Sequence, residues 1–188
     1  CNGGYELGNR RFHCWRRGGH GHVDLNASLE QSCDVYYYEI AKRVGIERIA
    51  AMARRLGFDV EAGLDMPELR SGLIPDKAWK RASRDAPWLV GDTLNAGIGQ
   101  GFVLATPLQL AVMTARIATG RAVEPRLIRA RDGAPVPVAE APGIGLSETA
   151  LRLVRRAMFD VVNARRGTAR RSRIADEAMA MAGKTGTS

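Results

Sequence analysis

Apolar residues recur at helical spacing in separate stretches of the chain, and each stretch carries its own start and stop signals. In the longest, Leu151, Val154, Met158 and Val161 share one face of a segment from Glu148 to Asn163, with Ser147 placed as its cap. Thr106-Pro107 opens another, running to about Ala118 before Gly120; a first-turn proline loses no helical hydrogen bond there. Two more follow in tandem. Asp34 is placed as N-cap of a helix from Val35 to Val44 that Gly45 ends. Ile46 to Leu56 then buries Ile46, Ile49, Ala53 and Leu56, and Gly57 stops it. Ahead of these, Asn26 to Glu30 predicts a short helical turn leading into Ser32-Cys33-Asp34.

Elsewhere the pattern is broken. Residues 1–22, rich in Gly, His, Arg and aromatics, predict an irregular loop long enough to need a staple. Residues 58–101 are interrupted by Gly and Pro and predict a long excursion with little regular structure. Residues 121–130 read as an edge strand that tolerates Pro125 near its start. Residues 178–183 read as a strand ending in Lys184-Thr185-Gly186, although Ala and Met are poor strand formers. The pattern is that of a helix-rich portion of a mixed fold.

Composition adds bounds. A chain of 188 residues with 45% hydrophobic residues suits one domain with a real core. Its apolar windows are too short and too often interrupted by charge to span a membrane. The sequence starts at Cys1 and stops just after a Lys-Thr-Gly-Thr run, so both ends are expected to be cut. The net charge of +8 and pI near 10.0 raise the question of nucleic acid. Only Arg165, Arg166, Arg170, Arg171 and Arg173 form a dense cluster; the other arginines are scattered along helical stretches without interleaved aromatics. Solvated helix faces, or a surface facing anionic lipid or polymer, explain the charge equally well, and no nucleic-acid partner is expected.

Two short motifs carry candidate chemistry. Lys184-Thr185-Gly186-Thr187 places an ammonium between hydroxyls, with a glycine that lets a ligand approach the backbone. Ser32-Cys33-Asp34 alone reads as helix capping. Together they matter more. They correspond in type and order to the Ser-x-Asn and Lys-Thr-Gly elements of penicillin-recognising serine enzymes, roughly 150 residues apart. No serine is followed three residues later by lysine, so the nucleophilic Ser-x-x-Lys of such enzymes is expected upstream of Cys1, and Ser32 is not the nucleophile.

All three cysteines, Cys1, Cys14 and Cys33, lie around the loop that needs a staple. With a histidine they make a Cys3His set, a normal closed tetrahedral zinc site. His20 suits the fourth place better than His13, which neighbours Cys14, and His22 is a fallback. A Cys1–Cys14 disulfide with Cys33 free, or three unrelated buried thiols, are the competing readings.

The resemblance to a known family extends beyond the motifs. Trp15 to His22, Ser32 to Tyr38, Arg70 to Pro75 and Trp79-Lys80 resemble the penicillin-binding protein 2 family, class B peptidoglycan transpeptidases of rod-shaped bacteria. So do Gly91 to Leu94, Gly97 to Gly101, Ala105 to Gln109, and Asn163 with Gly167-Thr168-Ala169. That resemblance implies the α/β penicillin-binding, serine β-lactamase-like fold, an antiparallel sheet with a helical lobe, incomplete at both ends. Residues 1–188 would be the central part of one transpeptidase domain, with residues 1–33 a zinc-stapled loop region inside it.

It further implies a D,D-transpeptidase that cross-links stem peptides through a serine acyl-enzyme and is a target of β-lactams, with this stretch alone inactive. Ser32 would relay protons and Asp34, where many relatives carry Asn, would orient neighbours and substrate amides. Lys184 would stabilise charge, and Thr185, Gly186 and Thr187 would bind the substrate carboxylate. Some relatives carry zinc near the second motif, which favours a structural zinc on Cys1, Cys14, His20 and Cys33. Implied partners are stem peptides, β-lactams and the shape and elongation machinery with a glycosyltransferase. The implied location is the periplasmic face of the inner membrane, with the anchor outside this stretch. A D,D-carboxypeptidase, a β-lactamase or a β-lactam sensor would share the terminal triplet. From another class, a zinc-stabilised basic binding module is the rival.

Overall fold

A computed structural model describes residues 1–59, 64 and 69–186. The chain opens not as an irregular loop but as an antiparallel hairpin, β1 (Gly4–Leu7) paired with β2 (Arg10–His13). Gly8 at positive φ makes the tight turn, and Tyr5 and Phe12 face each other across it. The absence of a long alternating run hid this hairpin, since each strand has only four residues.

Helix α1 (Leu25–Glu30) is capped by Asp24, whose carboxylate accepts the Ala27 N–H. It leads into α2 (Asp34–Val44) and α3 (Ile46–Arg55), divided at Gly45 as the sequence predicts. Asp34, however, is the first residue of α2 rather than its cap; Cys33 occupies the cap position and makes no side-chain capping bond. The Asp34 carboxylate instead accepts the Trp15 N–H. On α3 the fully buried positions are Ile46 and Ala50, while Ile49, Ala53 and Leu56 are half-buried. Phe12, Tyr38 and Leu94 form one core cluster, and Ala50, Phe58 and Ile74 another, against which Ala53 and Leu56 pack.

Residues 58–101 correct the expected excursion, because they contain α4 (Lys77–Arg84) and α5 (Val90–Gly97). Each is only eight residues long, too short for a helical period to stand out in the sequence. Their junction is polar: buried Lys80 pairs with Asp92, which also accepts the Leu89 N–H, and the Trp88 indole donates to Thr93 Oγ1. Helix α5 lies against α2 so closely that a side chain at Gly97 would collide with Ala41. Glycine there serves contact, not flexibility.

Helix α6 (Pro107–Thr119) follows the predicted cap, with Thr106 and Gln109 forming a reciprocal capping box. Helix α7 (Glu148–Asn163) also keeps its predicted bounds; Ala157 and Val162 join Leu151, Met158 and Val161 in burial, while Val154 is half-buried. The predicted edge strand over 121–130 does not form. Arg121 makes a lone bridge to Gly143, and only Ala130–Arg131 (β3) pairs with Ala134–Pro135 (β4). Pro125 has no N–H to donate, and the segment is tied to the neighbouring 136–143 run mainly near its two ends, by Ala122 N–H to Pro142 O and Val136 N–H to Arg129 O. Residues 178–183 likewise make no strand: a short 3-10 turn, Glu177–Met179, precedes an extended run that no described strand accompanies. Among the described residues the sheets are two-stranded hairpins, and helices supply the bulk.

Candidate active-site corner and metal cradle

The turn between α1 and α2 presents Ser32 with φ 53°, the left-handed region that non-glycine residues occupy at some cost. Backbone bonds hold it on both sides: Ser32 N–H to Leu29 O at 3.2 Å and Cys33 N–H to Ser28 O at 2.9 Å. Trp15 braces the same turn. Its backbone N–H donates to Asp34 Oδ2 at 2.9 Å, and its indole N–H to Gln31 O at 3.0 Å, so one residue grips the chain before and after Ser32. Below, Tyr38 donates to His13 O, and burial pushes its phenol up to about 12, so it stays protonated at any ordinary pH.

Across from this turn stands the C-terminal extended run. Asn163 Nδ2 donates to Met181 O at 2.9 Å and the Gly183 N–H to Met158 O at 3.0 Å, hanging the run on the end of α7. Lys184 Nζ then reaches Ser32 Oγ at 2.9 Å and Thr185 O at 2.8 Å. Lys184 is an exposed residue, yet its ammonium end is crowded; desolvation lowers its pKa, and the Asp34 charge pulls the other way. Thr185 Oγ1 shares a 2.8 Å hydrogen bond with Thr168 Oγ1, and the Thr168 N–H donates to Glu30 O. The space that a side chain at Gly186 would take is open. Ser32, Asp34, Lys184, Thr185 and Gly186 thus share one corner, while Thr187 lies outside the described residues.

Such a corner can move a proton and hold an anion. A lysine with a weakened hold on its proton, bonded to a hydroxyl, suits relay, and its charged form suits a carboxylate. Trp15 and Thr168 received no role from sequence reasoning; both fell in segments that carried the family resemblance, but neither belongs to a short motif.

The cysteines meet behind Ser32. Cys1 Sγ, Cys14 Sγ, Cys33 Sγ and one His20 nitrogen all lie within 4.8 Å of one another. His20 Nδ1 sits 3.6 Å from Cys1 Sγ and 3.5 Å from Cys14 Sγ. A tetrahedron with metal bonds of ~2.3 Å to sulfur and ~2.0 Å to nitrogen has edges of about 3.5–3.8 Å, so the donor set fits zinc. The loop closes through Gly21 N–H to Cys1 O at 3.0 Å and the Cys1 amino group to Gly21 O at 2.8 Å. Gly19, at φ 75°, passes so near Cys1 O that no side chain fits. The cysteines are free thiols, so the Cys1–Cys14 disulfide is absent. His13 and His22 are exposed and outside the cluster. Burial pushes the Cys33 thiol up, with nearby Cys14 adding to the rise; a dication would supply the charge that lets such thiols ionise.

Known proteins share this chain's sequence and fold. A family model described as the penicillin binding protein transpeptidase domain matches residues 1–188. The peptidoglycan D,D-transpeptidase MrdA of Haemophilus influenzae is 37% identical over 184 residues, covering 95% of this chain and 28% of that relative. A penicillin-binding protein, PBP2, from Helicobacter pylori superposes with TM-score 0.88 at 34% identity, over 98% of this chain and 34% of the other. The same organism's PBP2 solved as a complex with MreC gives TM-score 0.86 at 35% identity, over 99% and 34%. The chain spans about 28% of the length of the curated relative it matches, and its α/β architecture is that of the solved neighbours. By sequence and by fold alike, the chain belongs to the penicillin-binding protein transpeptidase family.

Proposed function

We propose that the protein containing this chain is a peptidoglycan D,D-transpeptidase of cell elongation, acylated by β-lactams. The observation that carries the reading is the 2.9 Å bond from Lys184 Nζ to Ser32 Oγ, which joins two motifs 152 residues apart beside Asp34.

In this reading a serine from a Ser-x-x-Lys element, which no serine of this chain heads, attacks the penultimate D-alanine carbonyl of a stem peptide. The carbon–nitrogen bond to the terminal D-alanine breaks, and its nitrogen takes up the serine proton. Ser32 and Lys184 supply the relay for that proton. An amine of a second peptide then attacks the ester, forming the cross-link and returning a proton to the serine. Lys184, Thr185 and Thr187 hold the peptide carboxylate, and open space at Gly186 admits the substrate backbone. Asp34, fixed by the Trp15 N–H, orients Ser32 and substrate amides.

Cys1, Cys14, His20 and Cys33 would hold a structural zinc. With four protein ligands it supplies a cross-link, not an open coordination position. Because Cys33 lies between Ser32 and Asp34, that cross-link would fix the motif's backbone. Partners of the shape and elongation machinery are supported by the Helicobacter pylori PBP2 complex with MreC. A glycosyltransferase partner and a place on the periplasmic face of the inner membrane follow from the family reading. No described helix is long and apolar enough to cross a membrane.

Incubation of the full-length protein with a fluorescent penicillin tests the proposal. The expected result is a covalent adduct on a serine outside this chain, formed more slowly in Ser32→Ala. An unlabelled protein that is folded by circular dichroism would overturn it.

A further inference from the structure

Beside the Ser32 corner lies a separate recess of about 370 Å³, lined by Trp15, Arg16, Gly19, His20, Gln31 and Arg166. Its lining contains two guanidinium groups and no carboxylate. Among the described residues neither Arg16 nor Arg166 has an ion-pair partner. The back wall is His20, whose side chain brings no carboxylate into the lining. His20 turns Nδ1 toward Cys1 and Cys14, leaving Nε2 buried with no hydrogen-bond partner. Trp15, an exposed residue, supplies an apolar flank with its ring. Two unneutralised guanidiniums flanking an aromatic face are the chemistry that recognises a carboxylate on an apolar stem.

The recess adjoins the site. Gln31, in its wall, immediately precedes Ser32, and Trp15 binds both Gln31 O and Asp34 through its two N–H groups. On the Arg166 side, Thr168 follows two residues later and bonds Thr185. A peptide lying in the corner with its terminal carboxylate at Lys184 and Thr185 therefore has this basic recess beside it.

We propose that Arg16 and Arg166 form an anionic subsite for a second carboxylate, one carried on a side chain of the wall peptide away from the reacting D-alanine end. This rests on the transpeptidase reading of the neighbouring corner. It makes charge on the peptide stem, not only its D-Ala-D-Ala end, a determinant of which strand is used. A second recess on the hairpin side of Trp15 also carries two arginines, Arg11 and Arg17, but Arg11 there faces Glu6 at 3.8 Å.

The test uses the full-length protein and two synthetic stem peptides ending in D-Ala-D-Ala, one with its side-chain carboxylates free and one with them amidated. Release of D-alanine gives kcat/KM for each, expressed per site labelled by fluorescent penicillin, so that misfolded protein does not count. Wild-type protein is expected to prefer the free-acid peptide by about 10-fold, the scale of a charge-assisted hydrogen bond. Arg166→Gln, and more so Arg16→Gln combined with it, brings the ratio toward one. Arg48→Gln, exposed on α3 and outside the recess, keeps the ratio. Penicillin labelling with no preference between the peptides would overturn the subsite and leave the enzyme reading standing. Equal loss for both peptides in the arginine variants would also overturn it, assigning these arginines to packing against the rest of the protein. Absence of labelling in the wild type would sink both.

Discussion

The Ser32 wall and the Lys184 wall meet at a single hydrogen bond, but they are held by different means. Ser32 sits on a turn fixed by backbone bonds, gripped by Trp15 on both sides, and followed by fully buried Cys33. Its supports come from the hairpin, from α1 and α2, and from the cysteine cluster behind it. Lys184 stands on an extended run that touches the rest of the molecule through isolated bonds from Asn163, Gly183 and Thr185. Among the described residues, one wall is held by packing on several sides and the other by a few polar tethers, so loss of one support should be shared out on the first and felt directly on the second.

Removing the Lys184 side chain should give the largest effect. Lys184→Ala in the full-length protein is expected to slow penicillin acylation on the order of 10²–10³-fold, the usual scale for a lost charge-stabilising donor. The same lysine sets a pH limb. Desolvation makes it release its proton below the ordinary 10.5, so its charge, and the acylation that needs it, should fall as pH rises through a point under that value. A limb at or above 10.5 would remove the crowding argument.

The next effect separates the cysteine cluster from the corner. Cys33→Ser should weaken zinc binding by more than ~100-fold, beyond the cost of altering an outer-shell partner, and should slow acylation with it. Metal content by mass spectrometry alongside acylation rate reads both; metal loss with unchanged acylation would uncouple cradle from Ser32. On the same wall, Trp15→Phe removes the indole donor to Gln31 O but keeps the backbone bond to Asp34. About fivefold slower acylation is expected, equivalent to about 1 kcal/mol. No change would mean that the turn is held without the indole. Smallest is Thr168→Val, which frees the Thr185 hydroxyl; a roughly twofold to threefold rise in the concentration of penicillin needed for half-maximal labelling rate fits a lost neutral hydrogen bond.

What could be read in the chain, and what could not, follows the same division. Helices α6 and α7 were legible because Thr106-Pro107, Ser147 and an apolar face of period 3.6 are local signals that tertiary contacts only reinforce. Helices α4 and α5 were not, because each is only eight residues long and what joins them is polar, Lys80 of α4 to Asp92 of α5, with Trp88 of the connection donating to Thr93. Sequence alone named the Cys1, Cys14, His20 and Cys33 set and both walls' motif residues, since donor chemistry and motif order survive without coordinates. Tertiary structure decided that Asp34 faces Trp15 instead of capping its helix, and that among the described residues 178–183 begins in a 3-10 turn and pairs with no strand. It also decided that Arg16 and Arg166, 150 positions apart, share one recess. Caps and helical faces are written within a few residues of one another; a brace, a tether or a shared recess depends on where distant segments come to rest, which only the packed chain specifies.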